Sequence, residues 1–408
     1  MSIPSSADSF RPQRRGLLRA RGAGVHGKVT NIELFFDLVF VYAVTQLSHT
    51  LLHDLSMAGA LQVLLLFLAV WWVWIFTGWV TNWLEPERPA VRLALLTLML
   101  AGLLLSIALP EAFGAHGLLF AGAYVFMQVG RTLFTLWALG DAEPANTRNF
   151  QRIAVWLMGS GVLWLLGGWF DGQWRWLLWI AALALEYLGP ALAFPVPGLG
   201  RSSTAQWNVD GGHLAERCSQ FVIIALGESV VVTGSSFASA PWQSQTVLAF
   251  VSAFIGSVAM WWIYFDLGAE RGSRALRASD DPGRQARLAY TYLHLLIVAG
   301  IIVSAVADEI SLSDPSAHVG VASGMVLLGG PVLYLLGNAL FKKTINRTYL
   351  PLSHLVGLGL LGLLGWLVAS TPVSLLALAV ATSAVLVLVA AWESRSLQSV
   401  RQALSGLE

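Results

Sequence analysis

Apolar residues run along this chain in blocks of about twenty, each closed by a short polar or Gly- and Pro-bearing break, almost from end to end. A block of that length, wound as a helix at about 1.5 Å per residue, matches the hydrocarbon thickness of a bilayer. Twelve blocks are predicted as helices, at 31–53, 57–83, 90–109, 116–139, 151–170, 174–193, 214–238, 243–267, 286–307, 317–341, 350–370 and 373–393. The polar positions inside the blocks carry the next step. In the first, NIELFFDLVFVYAVTQLSHTLLH, Glu33 and Asp37 stand one helical turn apart, and the same stripe continues through Val41, Val44 and Ser48. A carboxylate at the centre of a membrane helix costs roughly 2.5 to 3.5 kcal/mol, so this face is expected to turn inward.

Composition agrees with the pattern: 56% of the residues are hydrophobic and 12% charged, against roughly 25% charged in soluble domains. The net charge of +1 says less than where the charges stand. With both termini cytoplasmic, all of the 24 Lys and Arg residues except Arg131 and Arg175 fall on the cytoplasmic side or at its helix ends. Arg271, Arg274, Arg277, Arg284, Arg287, Lys342, Lys343 and Arg347 are among them, and an odd number of spans would invert half of this pattern. The basic stretch with Arg11, Arg14, Arg15, Arg19, Arg21 and Lys28 resembles the start of a signal peptide. The block after it is too long, contains Asp37 and lacks a small-residue cleavage site, so a retained first helix is expected. The single cysteine, Cys218, excludes an intrachain disulfide and a CxxC site.

Internal similarity divides the blocks into two sets. WWVWIF at 71–76 is matched by WWIYFD at 261–266, and AGLLLSIALPE at 101–111 by AGIIVSAVADE at 299–309. Blocks one to six thus repeat as seven to twelve, and an even number per half gives the halves one orientation. The expected organisation is a basic cytoplasmic tail at 1–30, a six-helix repeat at 31–193, a linker at 194–213, a second repeat at 214–393 and a tail at 394–408. The alignment sets Glu33 opposite Glu216 and Asp37 opposite Gln220. Glu228 stands where the first helix has Thr45, and Arg217 precedes it by about three turns on nearly the same face.

Three segments, ELFFDLVFVYAVTQLSH at 33–49, HLAERCSQFVIIALGES at 213–229 and YLHLLIVAGI at 292–301, resemble the signatures of the bacterial low-temperature-requirement A (LtrA) family. The resemblance implies a polytopic protein of the bacterial inner membrane, in a family named for a cold-growth phenotype. It implies no substrate and supplies no established catalytic residue.

The residues themselves must therefore propose the chemistry. Arg131 lies deep in the fourth block and needs a carboxylate or carbonyl; Asp37, Glu33 and Glu228 are the expected anions. Either a closed salt bridge fixes the helix packing, or an excess of acids over deep bases leaves a carboxylate for a cation or proton; on the second reading Glu33, Asp37, Arg131, Glu216, Arg217, Glu228 and His294 form the candidate pathway. His294 is either a proton shuttle or a hydrogen-bonded packing residue. Trp72, Trp79 and Trp83 share a helical face and are candidates to line a cavity, with membrane-belt and packing roles as the alternative. His49 and His53 read as interface residues rather than metal ligands, and Glu186 is left unassigned. No P-loop, HExxH, GxSxG or DxxD pattern occurs, and no lysine is expected within a span, which removes a Schiff-base chromophore. No cofactor, metal or nucleic acid is expected. The reading is an all-α polytopic protein in the lipid bilayer, a secondary transporter or channel for a small solute or cation. The alternatives are an intramembrane enzyme acting on a lipid or isoprenoid and a non-catalytic cold-growth factor.

Overall fold

The computed structural model of the chain describes residues 16–19, 28–140, 143–203, 210–266, 282–346, 350–396 and 398. The basic positions Arg11, Arg14, Arg15, Arg21, Arg271, Arg274, Arg277 and Arg347 lie outside the described residues. Among those described there is no strand, only the isolated bridges Leu18 to Leu84, Val196 to Gly200 and His318 to Ser374. Twelve long helices follow one another: α1 Asn31–His53, α2 Met57–Trp83, α3 Pro89–Glu111, α4 Gly117–Leu139, α5 Pro144–Trp169, α6 Gln173–Ala191, α7 Gly211–Ser239, α8 Ser244–Phe265, α9 Gly283–Ser313, α10 Val321–Asn346, α11 Leu352–Ser370 and α12 Leu375–Ser396. Eleven are long and apolar enough to cross a membrane; the exception, α6, carries Arg175 and Glu186.

Local chemistry sets several of these boundaries. Glu33 supplies one half of a capping box at the start of α1: its carboxylate accepts the Thr30 backbone N–H at 2.9 Å, and also the Thr30 hydroxyl at 3.0 Å. Proline opens α3 and α5, where its missing N–H has no partner to lose. That start carries α5 back to Pro144, ahead of the predicted residue 151. A π-helical stretch interrupts α4 at Phe126–Gly130 and α9 at Arg287–Leu293, and each frees carbonyls for side-chain partners.

The helices divide into two compact units, with bounds Met1–Val39 plus Trp72–His213 for unit 1 and Phe40–Trp71 plus Leu214–Glu408 for unit 2. In unit 1, α5 packs on both α4 and α6 around an aromatic core of Phe120, Tyr124, Trp164 and Trp179. Gly102 on α3 faces the side chains of Val39 and of Met127 on α4. In unit 2, α9 packs along α10, and α8 along α12. Gly300 lets the α9 backbone approach that of α10, for a Cβ added there would stand 2.5 Å from the Tyr334 nitrogen. On α1, Glu33, Phe36 and Asp37 are buried while Leu34, Phe35 and Leu38 are exposed, so the acidic stripe faces inward as expected.

One expectation is corrected here. Lysine does occur within a span: α10 continues past the predicted residue 341 to Asn346, and Lys342 turns inward while Lys343 stays exposed. Its ammonium is held by both Glu393 oxygens at 2.7 Å and by the Ile263 carbonyl at 2.9 Å, which compensates the loss of water.

Candidate functional site

Three carboxylate centres are buried in unit 1, and the structure gives each a different job. Glu33 is a latch. Besides Thr30 it accepts from Arg19 Nη2 at 3.0 Å and His213 Nε2 at 2.8 Å. With Nε2 donating, His213 Nδ1 is left to accept from Asn82 Nδ2 at 3.3 Å, so the network fixes the tautomer. Arg19 also donates to the Thr81 and Leu84 carbonyls, at 2.8 and 3.1 Å, tying the segment before α1 to the end of α2. Asp37, one turn further along α1, accepts from the Trp74 indole at 2.8 Å.

Glu186 on α6 is the third. One oxygen accepts from Ser160 at 2.7 Å and Trp164 at 3.0 Å, the other from Gln128 at 3.2 Å and from the Tyr124 hydroxyl. Four neutral donors therefore hold its charge. Arg131 stands beside this network but is not ion-paired: Nη1 donates to the Val73 carbonyl and the Thr77 hydroxyl, both at 3.0 Å, and Nη2 to Gln128 Oε1. The expected pairing with Asp37, Glu33 or Glu228 is thus corrected. A carbonyl, a hydroxyl and a glutamine brought close by the π-helical stretch take the place of the anion.

Unit 2 holds an acidic cluster on the C-terminal halves of α1, α7 and α9. Glu228 lies beside Thr45, His49 and Glu309. Asp308 lies beside Ser229, whose hydroxyl stands 3.1 Å from that of Ser257. Glu228 is only 4% exposed, yet its Oε1 has no hydrogen-bond partner, and Glu309 Oε2 is in the same condition. No group of three His, Cys, Asp or Glu among the described residues is arranged to hold a metal ion. Arg217 is buried on α7, whereas Glu216 beside it is exposed.

A family model described as Bacterial low temperature requirement A protein (LtrA) matches residues 28–391. The chain belongs to the LtrA family. Its spanning helices make this LtrA protein a polytopic protein of a bacterial membrane. It is 42% identical over 370 residues to Uncharacterized protein RA0937 of Rhizobium meliloti (strain 1021), covering 91% of this chain and 90% of that one. No solved structure matches.

The remaining candidates of this LtrA chain, Trp72, Trp79, Trp83 and His294, stand in packed surroundings. Trp72 stacks on Tyr187 with ring centroids 4.0 Å apart, Trp79 stacks on Trp83, and Trp83 meets Phe150 edge-on. His294 is held on both sides, Nδ1 against the Ala289 carbonyl and Nε2 against the Tyr264 hydroxyl, each at 2.8 Å, between the rings of Tyr290 and Phe341. His294→Phe keeps the ring packing but leaves the Ala289 carbonyl without its side-chain donor and the Tyr264 hydroxyl with only Ser219, at 3.4 Å. It should lower stability by about 1 to 3 kcal/mol in detergent unfolding. A transport pH profile shifted by this substitution would contradict the packing role. Glu186, Glu393 and Lys342 carry charge that sequence reasoning left unassigned or placed outside the spans.

Proposed function

We propose that this LtrA protein moves a proton or another small cation across the bilayer, with Glu228, Asp308 and Glu309 as the charged element of the pathway. One observation carries the reading. Glu33 and Glu186 have both oxygens occupied, whereas the buried Glu228 keeps an oxygen with no partner. A carboxylate desolvated without compensation destabilises the fold, so its burial is best understood as serving a passing charge. Asp308 and Glu309 add acid beside it, and the paired hydroxyls of Ser229 and Ser257 lie next to Asp308.

Two parallel six-helix halves, 31–193 and 214–393, with both termini cytoplasmic, belong to the same proposal. Matched contacts within each unit support the repeat. Arg131 on α4 donates to the Val73 carbonyl, and Lys342 on α10, one turn beyond the position aligned with Arg131, to the Ile263 carbonyl; Val73 and Ile263 are equivalent in the WWVWIF and WWIYFD alignment. Gly102 faces Met127 and Gly300 faces Tyr334, three residues before GRTLF and GNALF respectively. Thr45 and Glu228, matched by the alignment, touch within unit 2, as expected where the first helices of two halves face each other across a shared pathway.

The test is flux in liposomes. Wild-type protein should dissipate a proton or alkali-cation gradient, and Glu228→Gln should reduce the rate at least about tenfold while leaving the thermal midpoint near wild type, since Oε1 has no bond to lose. Wild-type liposomes that pass no tested cation would remove the proposal.

A further inference from the structure

Unit 1 contains a cavity of about 420 Å³ between α2, α3 and α4. Val80, Leu84, Val91, Leu95, Leu98 and Phe134 give it apolar walls, and Leu93, Phe126 and Trp137 at its rim are exposed. Arg131 is in the lining, 2% exposed. A guanidinium has five N–H donors. Here three are spent, on Val73, Thr77 and Gln128, while Nε has no partner and one Nη2 hydrogen remains. Glu186 is a charged neighbour of Arg131, bridged to it by Gln128, but makes no direct hydrogen bond to it, since four neutral donors surround its oxygens. Among the described residues no carboxylate makes an ion pair with Arg131.

We propose that this cavity binds a single-chain amphiphile with a carboxylate head, of the fatty-acid type, with the head on Arg131 and the tail along the apolar walls toward the rim. The head is set by charge and shape: a planar monoanion offers two oxygens to the unspent donors and balances one buried cation. A phosphate dianion would carry surplus charge into the low dielectric. Depth argues for one chain. Arg131 stands eight residues before Leu139, the end of α4, or about 12 Å along the helix, whereas the head of a two-chain lipid stays at the interface. The volume also falls at the small end of the range for ligand pockets.

The experiment is equilibrium binding of radiolabelled palmitate to the purified full-length protein in non-ionic detergent, with methyl palmitate and dipalmitoylphosphatidylglycerol as competitors. Palmitate should bind saturably, and both competitors should be at least about tenfold weaker than unlabelled palmitate. Two variants report on the site. Arg131→Gln removes the charge. Gly130→Leu fills the cavity and leaves Arg131 in place; an added Cβ there meets only Phe126 ring carbons, at 3.8 and 3.9 Å. Each should weaken binding at least about tenfold, and Gly130→Leu decides the matter if Arg131→Gln fails to fold. Methyl palmitate competing as well as palmitate would overturn the ionic head, and phosphatidylglycerol competing better would overturn the single chain. Unchanged binding by Gly130→Leu would overturn the location. Glu228→Gln should bind palmitate as wild type does, which separates this site from the cation pathway.

Discussion

Glu33→Ala should be among the most destabilising single substitutions in the chain, lowering stability by about 3 to 5 kcal/mol, the usual result of removing one partner from a buried ion pair. The carboxylate joins four donors: the Thr30 amide and hydroxyl, Arg19 and His213. Its loss uncaps α1, leaves Arg19 without its anion, and takes from His213 Nε2 its acceptor. Intrinsic tryptophan fluorescence during thermal unfolding in detergent measures the effect, with Glu228→Gln as the comparison expected to stay near wild type. His213→Ala should also destabilise, and Glu33→Ala with His213→Ala should cost less than the two single values combined, because both remove one interaction. A Glu33→Ala midpoint equal to wild type would mean that the latch contributes nothing.

That latch shows where sequence reasoning stops. The capping-box spacing Thr30 to Glu33 is written in the chain, and so is the burial of Glu33 and Asp37, because four residues make a turn and Leu34, Phe35 and Leu38 fall on the other face. Position alone, however, does not tell a saturated carboxylate from an unsatisfied one. The partners that saturate Glu33 are 14 and 180 residues away, and the Tyr124 hydroxyl that bonds Glu186 is 62 residues away. Arg131 was legible as a cation in need of a partner. Of the carboxylate or carbonyl that its depth called for, the fold supplies the Val73 carbonyl, 58 residues away. Lys342 and Lys343 read together as a cytoplasmic helix end, yet one turn of added helix buries the first against Glu393. Glu228 and Glu309 stood in quoted motifs, but only the fold brought them together and set His49 beside Glu228.

Gly300→Val should separate α9 from α10 and leave little folded protein, while Gly102→Ala should be nearly neutral, although the two glycines occupy matched positions in AGIIVSAVADE and AGLLLSIALPE. The difference lies in what each faces. A Cβ at Gly300 meets the nitrogen and Cα of Tyr334 at 2.5 and 2.7 Å, and this backbone cannot turn aside as a side chain does. The same helix pair is close at two more points, where added Cβ atoms at Gly330 and Gly337 would stand 2.8 and 2.9 Å from the nitrogens of Ser304 and Ile297. Relief at Gly300 therefore strains the whole crossing, and overpacking of this kind costs about 1 to 3 kcal/mol for a single methyl and more for the branched valine. At Gly102 the neighbours are Val39 Cγ1 at 3.1 Å and the Met127 methyl at 3.4 Å, and the thioether has three rotatable bonds with which to yield. Monodispersity and thermal midpoints of Gly102→Ala, Gly300→Ala and Gly300→Val should fall in that order. Equal tolerance at the two positions would show that α9 and α10 are less closely apposed than the structure has them.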